Sequence, residues 1–152
     1  MTSASARLRE LGLTLPSVAT PAGSYLPARR AGVLVFTAGQ LPLVDGSLAA
    51  TGKVGAEVTP EQAAGLARIC ALNGLAAVDA LVGLDAVAGV VKVVGFVASA
   101  PGFTGQPGVL NGASDLLAEV FGEAGRHARS AVGVAELPLG APVEVELVVE
   151  LS

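Results

Sequence analysis

Between Val87 and Ala98 the chain is almost continuously apolar and β-branched: Val90, Val91, Val93, Val94, Phe96 and Val97 follow one another with Lys92 as the one charge. A short, valine-dense run of this kind predicts a buried strand. The last segment, Pro142 to Leu151, alternates instead. Val143, Val145, Leu147 and Val149 fall on one side, and Glu144, Glu146 and Val148 on the other. That period of two predicts a strand with one buried face. Gly32 to Ala38 and Ser130 to Val134 read as two more strands.

Helical spacing appears in three places. Thr59-Pro60-Glu61-Gln62 is the clearest start, because Thr59 can cap, Pro60 suits the first helical position and Gln62 completes a capping box. From there Leu66, Ile69, Cys70, Leu72, Asn73 and Ala76 trace a mostly apolar stripe, and the helix is expected to run to about Val82. A second helix is expected from about Val109 to Gly122, with Leu110, Leu117, Val120 and Phe121 inward. A short one should cover Ser3 to Leu11, closed by Gly12. Three prolines make Pro16 to Pro27 extended or turning, Pro101 to Pro107 reads as a loop, and Asp45-Gly46 marks a turn or hairpin between Leu43 and Gly55.

Two long helices among several strands predict one α+β domain over residues 1–152: a single sheet with the helices on one face, residues 1–15 being an added N-terminal helical segment. The opposite sheet face then needs cover. Composition sharpens this point, since 52% of residues are hydrophobic and only 14% charged, which is rich in apolar side chains for one domain. The long stretch from Leu72 to Ala100 is broken by Asp79, Asp85 and Lys92, so no membrane span is expected. Self-association accounts better for the excess. A poor signal-peptide pattern at the N-terminus makes the cytoplasm the expected location.

A net charge of −4, scattered basic residues and 3% aromatics exclude an obvious nucleic-acid-binding face. One cysteine and one histidine build neither a disulfide nor a zinc site of the usual kind. Cys70, on an apolar helix face, reads as a small buried residue. Phosphate-loop, dinucleotide, zinc-protease and serine-hydrolase patterns are all missing. Polar residues in apolar surroundings remain. Arg129, at the mouth of a predicted strand, has the fork that suits bidentate carboxylate recognition, or makes an exposed ion pair. Glu144 can act as acid or base in a dry cleft, or face solvent, and pattern alone does not separate it from Glu146 and Glu150. Gln40 and Asn111 can bind a substrate or cap local backbone. Tyr25, in a Gly- and Pro-rich loop, can cover a pocket or pack. His127 can act in acid–base chemistry, but a lone histidine in a loop reads as a surface residue.

Four segments in order resemble the YjgF/RidA family: Ala38-Gly39-Gln40-Leu41-Pro42; Val90 to Val97; Ala128-Arg129-Ser130-Ala131-Val132; and Leu137-Pro138 followed by Val143-Glu144-Val145-Glu146. The resemblance implies a chorismate-mutase-like fold, a homotrimer with clefts between subunits, and hydrolysis of 2-imino or enamino acids to 2-keto acids and ammonia without a metal or organic cofactor. It implies that Arg129 clamps the carboxylate and that Glu144 handles the attacking water. Tyr25, Gly39, Gln40, Asn111 and Ser130 would bind the substrate. Departures are Ala38 for the family serine, His127 for the proline two before the arginine, and Ser114 where deaminating members often carry an aromatic. The other reading is a non-catalytic trimeric module that binds keto acids or related metabolites. Ribonuclease activity, a label some relatives carry, fits the acidic surface poorly.

Overall fold

The fold described for residues 2–152 is that of a computed structural model. Three helices, α1 (Ala4–Glu10), α2 (Pro60–Val82) and α3 (Gln106–Phe121), accompany seven strands: β1 (Ala28–Ala31), β2 (Leu34–Thr37), β3 (Leu43–Val44), β4 (Ser47–Leu48), β5 (Val87–Ala98), β6 (Ala128–Val134) and β7 (Val143–Leu151). Five strands form one mixed sheet in the order β1-β2-β7-β5-β6, and β3 and β4 make a small hairpin. Only β5 and β6 run parallel; the other neighbours are antiparallel.

Local chemistry sets these boundaries. The capping box at α2 is complete: the Gln62 N–H donates to Thr59 Oγ1 at 3.1 Å, and the Thr59 N–H to Gln62 Oε1 at 2.9 Å. The β3–β4 hairpin turns through Asp45 and Gly46, both at positive φ, as an Asp-Gly turn requires. Two expectations shift. The strand expected from Gly32 to Ala38 is the shorter β2, because Gly32, at φ +62°, and Val33 form the turn that leads in from β1. The segment Ala28-Arg29-Arg30-Ala31, which carries no β-branched residue, pairs with β2 because tertiary contacts override its low propensity. α3 also starts at Gln106, before the expected Val109, with Pro107 tolerated in the first turn.

The alternation in β7 decides the layers. Val143, Val145, Leu147 and Val149 are at most 1% exposed and meet α2 and α3 through Cys70, Leu75, Val78, Leu110, Leu116 and Leu117. Among the described residues, no helix covers the other sheet face. That face shows Phe36 and Val132, each 44% exposed, with half-buried Val94, Phe96 and Val148. α2 is long and apolar enough to cross a membrane, with a mean hydropathy of 1.5 over its best 18-residue window. In this fold it is a core helix against the sheet, and more than half of that window is buried.

α1 docks by its own contacts. Leu8 is buried, and Asp85 accepts from the Ser5 hydroxyl at 2.6 Å and the Ser5 N–H at 2.8 Å. These bonds hold the Asp85 carboxyl below its ordinary value.

α2 and α3 touch backbone to backbone at Gly112, where a β-carbon would overlap the carbonyl oxygen of Ala64. Gly112→Ala should therefore push the helices apart and lower unfolding free energy by about 3 kcal/mol. Urea unfolding measures this, and a loss under about 1 kcal/mol would contradict so close a crossing.

Candidate functional site

Arg129 is the second residue of β6 rather than a residue at its mouth. It pairs with Val93, which pairs with Leu147, both in the core. Cross-strand partners project to one face, so Arg129 reaches toward the helix side at the sheet's edge. There it is half-buried against α3. Its Nη1 donates to Asn111 Oδ1 at 2.9 Å and to Ser114 Oγ at 3.1 Å, and its Nη2 donates to the Pro107 carbonyl at 3.3 Å. Positions 107, 111 and 114 share a helix face. A guanidinium carries five N–H donors. Three are committed here, which leaves Nε–H and one Nη2–H without a partner among the described residues. No acidic side chain pairs with Arg129 in this region either. Its charge is held by neutral oxygens and stays available. The surrounding hollow of about 310 Å³ is lined by Asn111, Ser114, Asp115, Arg126, His127 and Arg129, among others.

His127 is not a bystander on the surface. It is half-buried, and both ring nitrogens are engaged: Nε2 lies 2.9 Å from Ser114 Oγ, and Nδ1 lies 2.7 Å from the Gly125 carbonyl. A carbonyl only accepts, so Nδ1 carries the hydrogen. In the neutral ring Nε2 is then the acceptor for the Ser114 O–H. Sequence reasoning missed this pairing. Its available signal was that positions 114 and 127 are both departures from the family pattern.

Glu144 lies on the open face of the sheet. It pairs with Phe96 across β5, three residues from the inward Val93. It is half-buried and lines a cleft of about 690 Å³ with Tyr25, Arg29, Phe36, Thr37, Ala38 and Gly39. Burial raises its carboxyl above the ordinary 4.5, and the nearby charge of Glu146 adds to the rise. Gly39 is packed on it: a β-carbon there would lie 2.6 Å from Glu144 Oε2. A side chain at residue 39 would have to displace the carboxylate, so glycine brings backbone to the acid. The Gly39 N–H has no partner among the described residues. Tyr25 is half exposed at the rim, its hydroxyl accepting from the Ala22 N–H at 3.1 Å.

Two of the sequence candidates go elsewhere. Gln40 is buried; its backbone bridges to Val145, and its side-chain amide donates to the Ala38 carbonyl at 3.1 Å, so its role here is to hold local backbone. Ser130 pairs with Val94 and so shares the open face with Glu146, pointing away from the Arg129 contacts. Among the described residues, no three His, Cys, Asp or Glu side chains group as metal ligands.

The remaining candidates therefore form two half-sites. Arg129 and Asn111 are on the helix side at the β6 edge, and Tyr25, Gly39 and Glu144 are on the open face. One chain does not bring them to a common point.

Residues 5–151 match the family described as YjgF/chorismate mutase-like, putative endoribonuclease. The chain is 48% identical to Protein TCP17 of Trypanosoma cruzi over 97% of its own length and 93% of that protein. Among solved structures it resembles Atu1372, a protein of unknown function from Agrobacterium tumefaciens. The TM-score is 0.89 at 47% identity, covering 96% of this chain and 91% of that one. It also resembles a "putative endoribonuclease" from Shewanella oneidensis, with a TM-score of 0.94 at 34% identity, covering 99% of this chain and 100% of that one.

Proposed function

The chain belongs to the YjgF/chorismate mutase-like family, and from that premise we propose that it hydrolyses 2-imino or enamino acids to 2-keto acids and ammonia. The reaction takes place in clefts shared between copies of the chain in a homotrimer. One observation carries the reading. A guanidinium with two unspent N–H groups and a carboxyl with a raised pKa stand on opposite faces of the same sheet. A second copy laid against the open apolar face brings one copy's Arg129 to the other's Glu144. It also covers Phe36, Phe96 and Val132.

The chemistry asks little more of the protein. Arg129 receives the substrate carboxylate on its free N–H groups. Glu144 accepts a proton from water as the water oxygen bonds to the electrophilic imine carbon. The C=N electron pair moves to nitrogen. That proton passes to the nitrogen, giving a carbinolamine; Glu144 then takes the hydroxyl proton as C=O forms and delivers it to the amine, which leaves as ammonia. Positioning and one proton shuttle suffice for so reactive a carbon. Gly39 lines the same cleft, and its unpartnered N–H is the donor for an oxygen of the substrate or of the adduct.

Ala38 supports a second reading, a keto-acid-binding trimer without turnover, since the family's serine hydroxyl is lost there. Acceleration of fresh 2-iminobutanoate hydrolysis over buffer separates the two: 2-ketobutanoate binding with no acceleration selects the binder. A ribonuclease, as the family description suggests, would need a basic face, which a net charge of −4 and scattered arginines do not supply.

The shared cleft has its own test. Arg129→Ala and Glu144→Gln should each be inactive. Trimers reassembled from an equal mixture should recover about a quarter of wild-type activity, because about one cleft in four draws both intact residues from different subunits. Exchange of subunits with no recovery would rule the arrangement out.

A further inference from the structure

We propose that Ser114 and His127 are positioning residues for Arg129, a hydrogen-bonded strut that sets the rotation of the guanidinium and so the direction of its two free N–H groups. The inference rests on the reading of Arg129 as the carboxylate clamp and deepens it.

The strut runs in one direction. The Gly125 carbonyl accepts from His127 Nδ1 at 2.7 Å, His127 Nε2 faces Ser114 Oγ at 2.9 Å, and Ser114 Oγ accepts from Arg129 Nη1 at 3.1 Å. The carbonyl forces the tautomer, the tautomer makes Nε2 an acceptor, and that turns the Ser114 hydrogen toward the ring. The hydroxyl's lone pairs are then aimed at Arg129. Its far end is fixed as well. Gly125 is buried, and a β-carbon on it would overlap the Leu117 carbonyl oxygen of α3. The anchor is thus a backbone seated on the same helix that presents Asn111 and Ser114.

An edge-strand arginine with no acidic partner needs such a device. Its side chain has several rotatable bonds, and an ion pair that held it would also neutralise the charge it keeps for a ligand. Neutral oxygens from Asn111, Ser114 and Pro107 orient the fork and leave the charge intact. Asp115 and Arg126 line the same hollow without bonding to Arg129. The two halves of the strut also depend on one another. A proline at 127 has no side-chain acceptor, and an aromatic hydrocarbon at 114 has no hydroxyl. The two departures from the family pattern meet as hydrogen-bonding partners.

The test uses the full-length protein with 15N-labelled arginine, in wild type, Ser114→Ala, His127→Leu and His127→Gln. In the wild type, slow guanidinium rotation should give separate Nη signals for Arg129. Ser114→Ala and His127→Leu should merge them, weaken 2-ketobutanoate binding about tenfold, and raise KM with little change in kcat. His127→Gln, whose amide oxygen can accept from Ser114, should restore both the signals and the affinity. The strut is overturned if Ser114→Ala and His127→Leu keep the wild-type signals, or if His127→Gln behaves like His127→Leu. A wild type with separate signals that binds no carboxylate would instead sink the clamp reading, because the signals report orientation without any ligand.

Discussion

Arg129→Ala should lower kcat/KM for 2-iminobutanoate by about two to three orders of magnitude, the cost of removing one partner from a desolvated, bidentate charge pair. Binding of 2-ketobutanoate, measured by calorimetry, should weaken in parallel, since the clamp acts on ground state and transition state alike. Arg129→Lys should recover only part of the loss. It keeps the charge, but an ammonium cannot span Asn111, Ser114 and a carboxylate with a planar fork. Stability should change little, because Arg129 is a half-buried edge residue and Asn111 Oδ1 and Ser114 Oγ can take up water when it leaves. Full activity in Arg129→Ala would show that the carboxylate is held elsewhere. A large loss of stability would show that the arginine's role is structural.

Glu144→Gln should cut kcat by about two to four orders of magnitude, the usual contribution of a positioned proton shuttle, while the protein stays at least as stable near neutral pH. The second half follows from the sign of its shift. Burial, then Glu146, raises the folded-state pKa of Glu144 above that of the unfolded chain. The folded state therefore binds more protons across that window. Stability from this group is fully present below the ordinary 4.5 and is lost as pH rises through the raised value. Glutamine carries no proton to lose, so the variant's urea midpoint should fall less as pH climbs from acid toward neutral. The wild-type rate moves the other way: as a base, Glu144 works only when ionised. The acid limb of kcat/KM should therefore lie above the ordinary carboxylate range. A variant that keeps its turnover, or an acid limb at the ordinary glutamate value, would remove Glu144 from the chemistry. The same substitution should also relieve Cys70, whose thiol is pushed up first by burial and then by the charge of Glu144.

The elements that came through from sequence are those whose signal is local. Thr59 to Gln62 holds its whole capping box within four residues, and the run Val87–Ala98 is a strand over the range its valines mark. β1 was invisible because Ala28-Arg29-Arg30-Ala31 has no strand-forming side chain and is ordered by pairing with Phe36 and Thr37. The start of α3 was hidden because Gly105-Gln106-Pro107-Gly108 reads as a loop, although proline is harmless where the helix has no N–H to satisfy. At the site, pattern put Glu144, Glu146 and Glu150 on one face. Packing separates them, with Glu144 seated on Gly39 and Glu150 exposed. Ser130 adjoins Arg129 along the chain, but the alternation of a strand sends adjacent residues to opposite faces.

Periodicity, caps and turn residues are properties of neighbours along the chain, and with them the sequence determined the helices, the main strands, the inward face of β7 and the bare face opposite. Only the tertiary structure decided that Arg129 leans on Asn111 and Ser114, that His127 completes the strut, and that Glu144 stands on the far side of the sheet. Hydrogen bonds act over about 3 Å, so their partners depend on strand register and helix crossing. No spacing along the chain encodes those directly.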